Sequence, residues 1–364
     1  MLIAANPIQV VAQATPSPVT HLVRQGRELI QRGDWLGALE VYQQIAEHSP
    51  NDGAVWATMG YLHSQRQDWS AAAGAYQRAV HLSPQNVDYL NALARVQAEL
   101  GEWASAAATY TRSLRTNARQ TTAYLGLAAV QERMGQAQAA LATLGRGLAQ
   151  NPRSVPLLIA QGQLQLNLNQ PQLALAALTQ ASQLAPRNTV IQRLMALGWA
   201  AKGDIPRAKR LLLQALTVNP RDADIHFQLA RLQETSGDLA GAIQTYELAA
   251  QLQPARAYTH LGQLYMQHRQ WEKAAAAFGE VVRLEPELAI AHHQLGLALH
   301  RQKRHAEAAS ALQTAHRLYR QQNNTLGAQQ VETVLQQIQL PKSKTKPGKT
   351  TDPLPPLPYD EYRY

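Results

Sequence analysis

Residues 32–50 read RGDWLGALEVYQQIAEHSP, and residues 66–84 read RQDWSAAAGAYQRAVHLSP, a near copy 34 positions later. The Trp, the small residues after it, the Tyr and the closing Pro recur in register. A fixed period of that length marks a chain of stacked supersecondary units, none of which can bury its apolar face alone. Pro50, Pro84, Pro152, Pro186, Pro220 and Pro254 fall on the same grid, with Ala118 where another Pro is due and Pro286 two residues early.

Inside a unit, apolar residues recur at three- and four-residue spacing, which predicts two helices. In the second unit these are residues 56–65 and 69–82, divided by the polar break Arg66-Gln67-Asp68. Asp34, Asp68 and Asp204 stand just before a second helix, where a short carboxylate accepts the first unpaired backbone N–H groups. The prolines are expected to close each unit, since Pro lacks the donor that continues a helix. One slot holds the same residue throughout: Ala38, Ala72, Ala106, Ala140, Ala174, Ala208, Ala242, Ala274 and Ala308. It predicts a helix crossing too close for a larger side chain, where overpacking costs about 1–3 kcal/mol.

Trp56-x2-Met59-Gly60, Ala72-x3-Tyr76 and Pro84 resemble the tetratricopeptide repeat pattern W-x2-L-G, A-x3-F, P. Tyr258-x2-Leu261-Gly262-x2-Tyr265, Ala274-x3-Phe278 and Pro286 match it more fully. The resemblance implies an all-α fold, a right-handed superhelical solenoid of nine helix-turn-helix repeats over residues 19–322. Ala94, Ala128, Ala196 and Ala230 replace the Gly, and Leu144, Leu178 and Leu212 replace the aromatic, so the packing stays small or apolar. The ninth unit looks decayed, with His292 in the Trp slot, Leu312 in the aromatic slot and Arg320 where Pro is expected. Residues 323–340 predict one more amphipathic helix, suited to cap the stack. Between Pro254 and Tyr258 the chain is two residues short, which either tilts unit eight or is a tolerated turn deletion.

The 364 residues, 45% apolar and 16% charged, are enough for a large core, and only 2 Phe fit helices that approach closely through small side chains. The net charge of +9 is spread along the chain and falls short of the basic stripe of a nucleic-acid binder. Absence of Cys removes disulfides, thiol catalysis and thiolate metal sites, and fits the cytosol and a bacterial envelope equally. No apolar run is long enough for a membrane-spanning helix. Residues 1–18, MLIAANPIQVVAQATPSP, place Ala12-Gln13-Ala14 after a short apolar run, as at a secretory cleavage site. No Lys or Arg precedes that run, and Asn6, Pro7 and Gln9 interrupt it. Export with cleavage after Ala14 and a cytoplasmic protein with a flexible N-terminal segment therefore stand as equal alternatives.

No catalytic constellation emerges. Gly348-Lys349-Thr350 resembles the end of a phosphate-binding loop, but Ser343 stands where that loop needs Gly. His292, His293, His300 and His305 are close in sequence, yet His293 and His300 are two helical turns apart, roughly 10 Å, too far to share a metal ion. Asp222 with Asp224, and Asp360 with Glu361, sit beside basic residues in turns or in the tail. The expectation is a non-enzyme with no cofactor and no metal.

The resemblance implies instead that partners bind in a concave groove lined by the first helix of each repeat. Its two inward slots are Val23/Arg27, Ala57/Tyr61, Asn91/Arg95, Leu125/Ala129, Ile159/Gln163, Arg193/Leu197, Phe227/Arg231, Thr259/Gln263 and His293/Leu297. The candidate groove is the stretch from Asn91 and Arg95 to Phe227 and Arg231, suited to a peptide or helix with apolar anchors and acidic flanks. The alternative is that its apolar members merely pack on neighbouring helices. The carboxylate clamp of chaperone-binding relatives is missing, only Asn91 and Arg95 resembling it, and so is an asparagine ladder, Thr58, Ala92, Gly126, Ala160 and Leu194 filling that row. Residues 341–364 abandon the period and read as a disordered tail. Lys342, Lys344, Lys346 and Lys349 read as a solvated spacer, the alternative being weak peripheral contact with an anionic membrane or nucleic acid. Pro353, Pro355, Pro356 and Pro358 favour polyproline II, and with Tyr359, Tyr362 and Tyr364 they form either a recognition motif or an inert end. The expected function is a non-catalytic protein–protein interaction scaffold or assembly factor. The alternatives are a regulatory or targeting subunit of an enzyme or membrane-complex assembly machine, and a weak nucleic-acid binder.

Overall fold

The computed structural model describes residues 18–339, which form nineteen α-helices and no strand among the described residues. The leader reading, the phosphate-loop look-alike, the lysine run 342–349 and Tyr359, Tyr362 and Tyr364 lie outside them. The chain divides into two compact units between Pro186 and Arg187. Unit 1 holds α1 (Pro18–Arg32), α2 (Trp35–His48), α3 (Gly53–Gln65), α4 (Trp69–Leu82) and α5 (Val87–Glu99). It continues with α6 (Trp103–Thr116), α7 (Thr121–Arg133), α8 (Ala137–Gln150), α9 (Val155–Asn167) and α10 (Pro171–Leu184). Unit 2 holds α11 (Thr189–Ala201), α12 (Ile205–Val218), α13 (Ala223–Thr235), α14 (Leu239–Ala250) and α15 (Pro254–Gln267). It ends with α16 (Trp271–Leu284), α17 (Ala289–Arg301), α18 (His305–Gln321) and α19 (Thr325–Gln339). In each unit every helix packs on the one before and the one after it, so the units are stacks of antiparallel helix pairs.

Each pair is joined by the same turn. At Gly33 and Asp34 the amide of Gly33 donates to the Ile30 carbonyl at 3.1 Å and that of Asp34 to the Leu29 carbonyl at 3.0 Å. This is the Schellman closure, which satisfies the open carbonyls of a helix end and needs one left-handed residue. That residue is Gly33, Gly101, Gly135, Gly203 or Gly237 in five repeats and Gln67, Asn169, Arg269 or Lys303 in the other four. The next residue starts the second helix: Asp34, Asp68 and Asp204 accept the amides of Gly37, Ala71 and Arg207.

The alanine slot is closed in every repeat. Ala38, Ala72, Ala106, Ala140, Ala174, Ala208, Ala242, Ala274 and Ala308 all have 0% exposure. One helical crossing further on, the ring of Tyr76 lies so near Gly60 that a methyl group there would sit 2.8 Å from it, and Phe278 covers Gly262 at 2.7 Å in the same way. Between pairs, Tyr, Leu and Val side chains fill the joint, as where Tyr42, Ile45, Val55, Met59 and Leu62 form one apolar cluster.

Three details depart from the sequence reading. The first helix of the second repeat begins at Gly53, three residues before the expected Trp56, because Asp52 caps it by accepting the Ala54 amide at 2.8 Å. Pro254 opens α15 instead of closing its unit: the two-residue deletion shortens α14 and puts Pro254 at the first helical turn, where its missing N–H has no partner to lose. His292 is no decay. Its Nε2 bonds the Pro286 carbonyl at 2.9 Å, as Trp56 Nε1 bonds the Pro50 carbonyl at 2.9 Å and His226 Nε2 the Pro220 carbonyl at 2.8 Å. At the C-terminal end of unit 2, α19 buries Ala328, Val331 and Val334 against Leu312, Ala315, Leu318 and Tyr319.

Ala174→Leu is expected to lower stability by about 1–3 kcal/mol, read from the urea midpoint, while Ala176→Leu on the exposed side of the same helix leaves it within about 0.5 kcal/mol. Lys303→Gly should raise stability by up to about 1 kcal/mol by relieving the left-handed position, and Gly203→Ala should lower it by a similar amount.

Candidate functional site

The odd-numbered helices of unit 1 carry a solvent-facing stripe that repeats with the sequence period. Ala54 and Tyr61 on α3, Asp88 and Arg95 on α5, and Thr122 and Ala129 on α7 are exposed. Between them lie half-buried small residues: Ala57 and Thr58, then Ala92, Gly126 and Ala160. The stripe exists because the opposite faces of these helices are committed to the core, through Val55, Met59 and Leu62 on α3 and Leu90, Leu93 and Val96 on α5.

Between α3 and α5 the stripe deepens into an open pocket of about 360 Å³, lined by Ala54, Ala57, Thr58, Tyr61, Tyr76, Asp88, Tyr89 and Ala92. Its aromatic walls have separate supports. The Tyr61 ring stands edge-on to Trp35 with centroids 6.3 Å apart and planes at 89°. The Tyr89 ring lies across Gly53, where an added methyl would meet its Cε2 at 3.3 Å. Asn86 holds the start of α5 by accepting the backbone amides of Asp88 and Tyr89 at 3.0 and 3.2 Å, which anchors the first turn of the helix beside the pocket. Burial, then the nearby Asp52 and Asp88 carboxylates, push the Tyr89 phenol above its ordinary value. Burial also raises Tyr76 and Tyr110, and Arg95 between them acts in the opposite direction.

The two slots read from the sequence separate in the structure. The second slot faces outward over much of the chain: Tyr61 and Leu197 are each 37% exposed, and Arg95, Ala129 and Arg231 are also exposed, with Gln163 half-buried. Gln163 donates to Asn167, which donates to Glu132 of α7. The first slot turns inward. Asn91 is buried, and its Oδ1 has no hydrogen-bond partner among the described residues. Leu125 and Ile159 are half-buried, Leu125 against the cluster of Tyr124, Leu144 and Leu157; Arg193 is half-buried. Phe227 is 2% exposed, so it is a core residue of unit 2 and offers no open anchor. The pocket thus lies at Ala57 and Tyr61, N-terminal of the stretch that begins at Asn91. Tyr89, Asp88 and Ala54 were not picked out by the two-slot reading, since they lie one helical turn outside it.

In unit 2 the first slot is filled by core packing. Phe227 lies against Tyr246 and His260, with ring centroids at 6.2 and 5.4 Å, and the Arg256 guanidinium covers it at 4.1 Å. Arg256 is held in turn by Asp224 at 2.8 Å, and Asp222 caps α13 through the Ile225 amide, so this carboxylate pair is structural. Thr259 and His293 are buried, as is Gln263 in the second slot. His293 meets Tyr319 edge-on at 6.0 Å. Burial pushes its imidazole down to about 4, and burial together with Arg256 and Arg231 pushes His260 down to about 4. Among the described residues no three His, Asp or Glu side chains form a metal-binding group, and no helix is long and apolar enough to cross a membrane.

The tetratricopeptide repeat family model matches residues 23–87, 57–123, 91–156, 195–257 and 260–335. A tetratricopeptide repeat protein from Parabacteroides merdae has a similar fold, at 18% identity and TM-score 0.51, over 77% of this chain and 98% of that one. The chain is also similar to pilF of Pseudomonas aeruginosa, at 22% identity, 55% and 92% coverage and TM-score 0.46. Yeast Tom70 aligns at 15% identity over 83% of this chain and 76% of its own, with TM-score 0.44. No curated protein sequence matches.

His260 and His293 both lie below the ordinary histidine value of 6.5 in the folded state. Between pH 6.5 and about 4 the unfolded chain therefore binds more protons, and stability rises with pH across that window by about 1.4 kcal/mol per pH unit per histidine at most. The urea midpoint should fall steeply from pH 7 to pH 4.5, and the double variant His260→Phe/His293→Leu should flatten that fall.

Proposed function

This chain belongs to the tetratricopeptide repeat family, whose fold generally serves as a protein–protein interaction scaffold, and on that premise we propose that it holds a partner protein on the odd-helix face of unit 1. The observation that carries the reading is the pocket of Tyr61, Tyr89 and small residues between α3 and α5. Aromatic side chains give large contact area at low entropy cost, and small residues around them leave room for an inserted side chain. The partner segment lies along the stripe from Tyr61 to Arg95 and Ala129, with an apolar anchor in the pocket and an acidic group near Arg95. The reading is that of a binding scaffold or assembly factor without chemistry of its own.

Tyr61→Ser combined with Arg95→Glu should lower affinity for a partner co-purified with the wild-type chain by at least tenfold, while the chain still unfolds cooperatively, its thermal midpoint lowered only by the lost Tyr61–Trp35 contact. Glu40→Lys, on an exposed position of α2, should leave affinity as it is. Equal binding by all three proteins, in a direct titration, would overturn the docking face.

A further inference from the structure

The same pocket has a chemistry that selects among partner segments. We propose that it takes a proline-rich segment of a partner protein in the polyproline II conformation, with Lys or Arg beside the prolines; this rests on the docking reading above. Three features point to it. Tyr61 and Tyr89 line the pocket together with the small residues Ala54, Ala57 and Ala92, and an aromatic-lined site with room left by small residues suits a flat, rigid ring such as proline.

A polyproline II segment has no internal hydrogen bonds and lacks N–H groups at its prolines, so its carbonyls need donors. A neutral tyrosine phenol can donate one hydrogen bond, and Tyr89 lines this pocket. An extended β-strand partner would need a ladder of free backbone groups, which α3 and α5 use within their own helices. Charge supplies the third feature. Asp52 and Asp88, both exposed, act on Tyr89 from the N-terminal ends of α3 and α5 and make this end of the pocket acidic. A cation flanking the prolines complements that end, whereas an acidic flank there is repelled.

Residues 346–359 of the present sequence, KPGKTTDPLPPLPY, supply the prolines, and the probe carries Asp352→Lys, which puts a cation directly beside them. The labelled synthetic peptide is titrated, by fluorescence anisotropy, into the full chain carrying Pro355→Ala, Pro356→Ala and Pro358→Ala, which removes competition from its own copy. The peptide is expected to bind, and a version with alanine at every proline to bind at least tenfold more weakly. Tyr61→Ala and Asp88→Lys should each weaken it at least fivefold while the chain stays folded, as shown by retained helicity and cooperative thermal unfolding. Equal binding of the proline and alanine peptides, or binding untouched by both variants, overturns the proposal. A natural partner that needs Tyr61 and Arg95 but contains no proline-rich basic segment also overturns it, and leaves the docking face standing.

Discussion

Both units depend on how closely the two helices of a pair approach at the alanine slot. With all nine alanines sealed from solvent, the second helix can lie against the first only in one register, and the aromatic or leucine one turn later must find a glycine or alanine opposite. That register decides which side of each first helix is used up. Leu90, Leu93 and Val96 of α5 go to the core, and what remains is the strip carrying Asp88, Ala92 and Arg95. The exposed stripe is thus a by-product of the crossing.

Most of the fold was legible because its determinants are local and periodic. The alanines, the aspartate caps and the extra helix α19 all follow from spacing and residue type. What stayed hidden depends on geometry that residue type alone does not reveal. Nothing about Gln67, Arg269 or Lys303 announces a left-handed residue; only their alignment with Gly33 and Gly101 does. His292 looked like a lost Trp, yet its ring nitrogen reaches the carbonyl six residues earlier as the indole of Trp56 does. Pro254 kept its place on the grid while the deletion after it moved the helix start onto it.

The face on which we propose binding was legible only in part. The second slot is open at Tyr61, Arg95, Ala129, Leu197 and Arg231 because its residues point away from the adjacent pair. The first slot lies nearer the joint between neighbouring first helices, so whether it is open depends on what the next repeat places there. In unit 2 Tyr246 and His260 close over Phe227, a contact between residues of different helices that no single-helix pattern contains.

Side-chain size along the first slot then accounts for where the pocket forms. From α3 to α9 the slot runs Ala57, Asn91, Leu125, Ile159, and the floor row beside it runs Thr58, Ala92, Gly126, Ala160. Leu125 reaches the cluster around Tyr124 and Leu144 and fills the joint it stands over. Ala57 cannot. Next to Ala92 it leaves the space into which Tyr61 and Tyr89 look, and Gly53 lets the Tyr89 ring lie back against α3. A recessed site on a surface of repeated helices arises where the slot residue is smallest and its neighbours are aromatic, and bulky apolar residues at the same slot remove it. Within unit 1 that condition is met at α3 and α5, and it is there, not at the apolar residues at the centre of the chain, that we propose recognition.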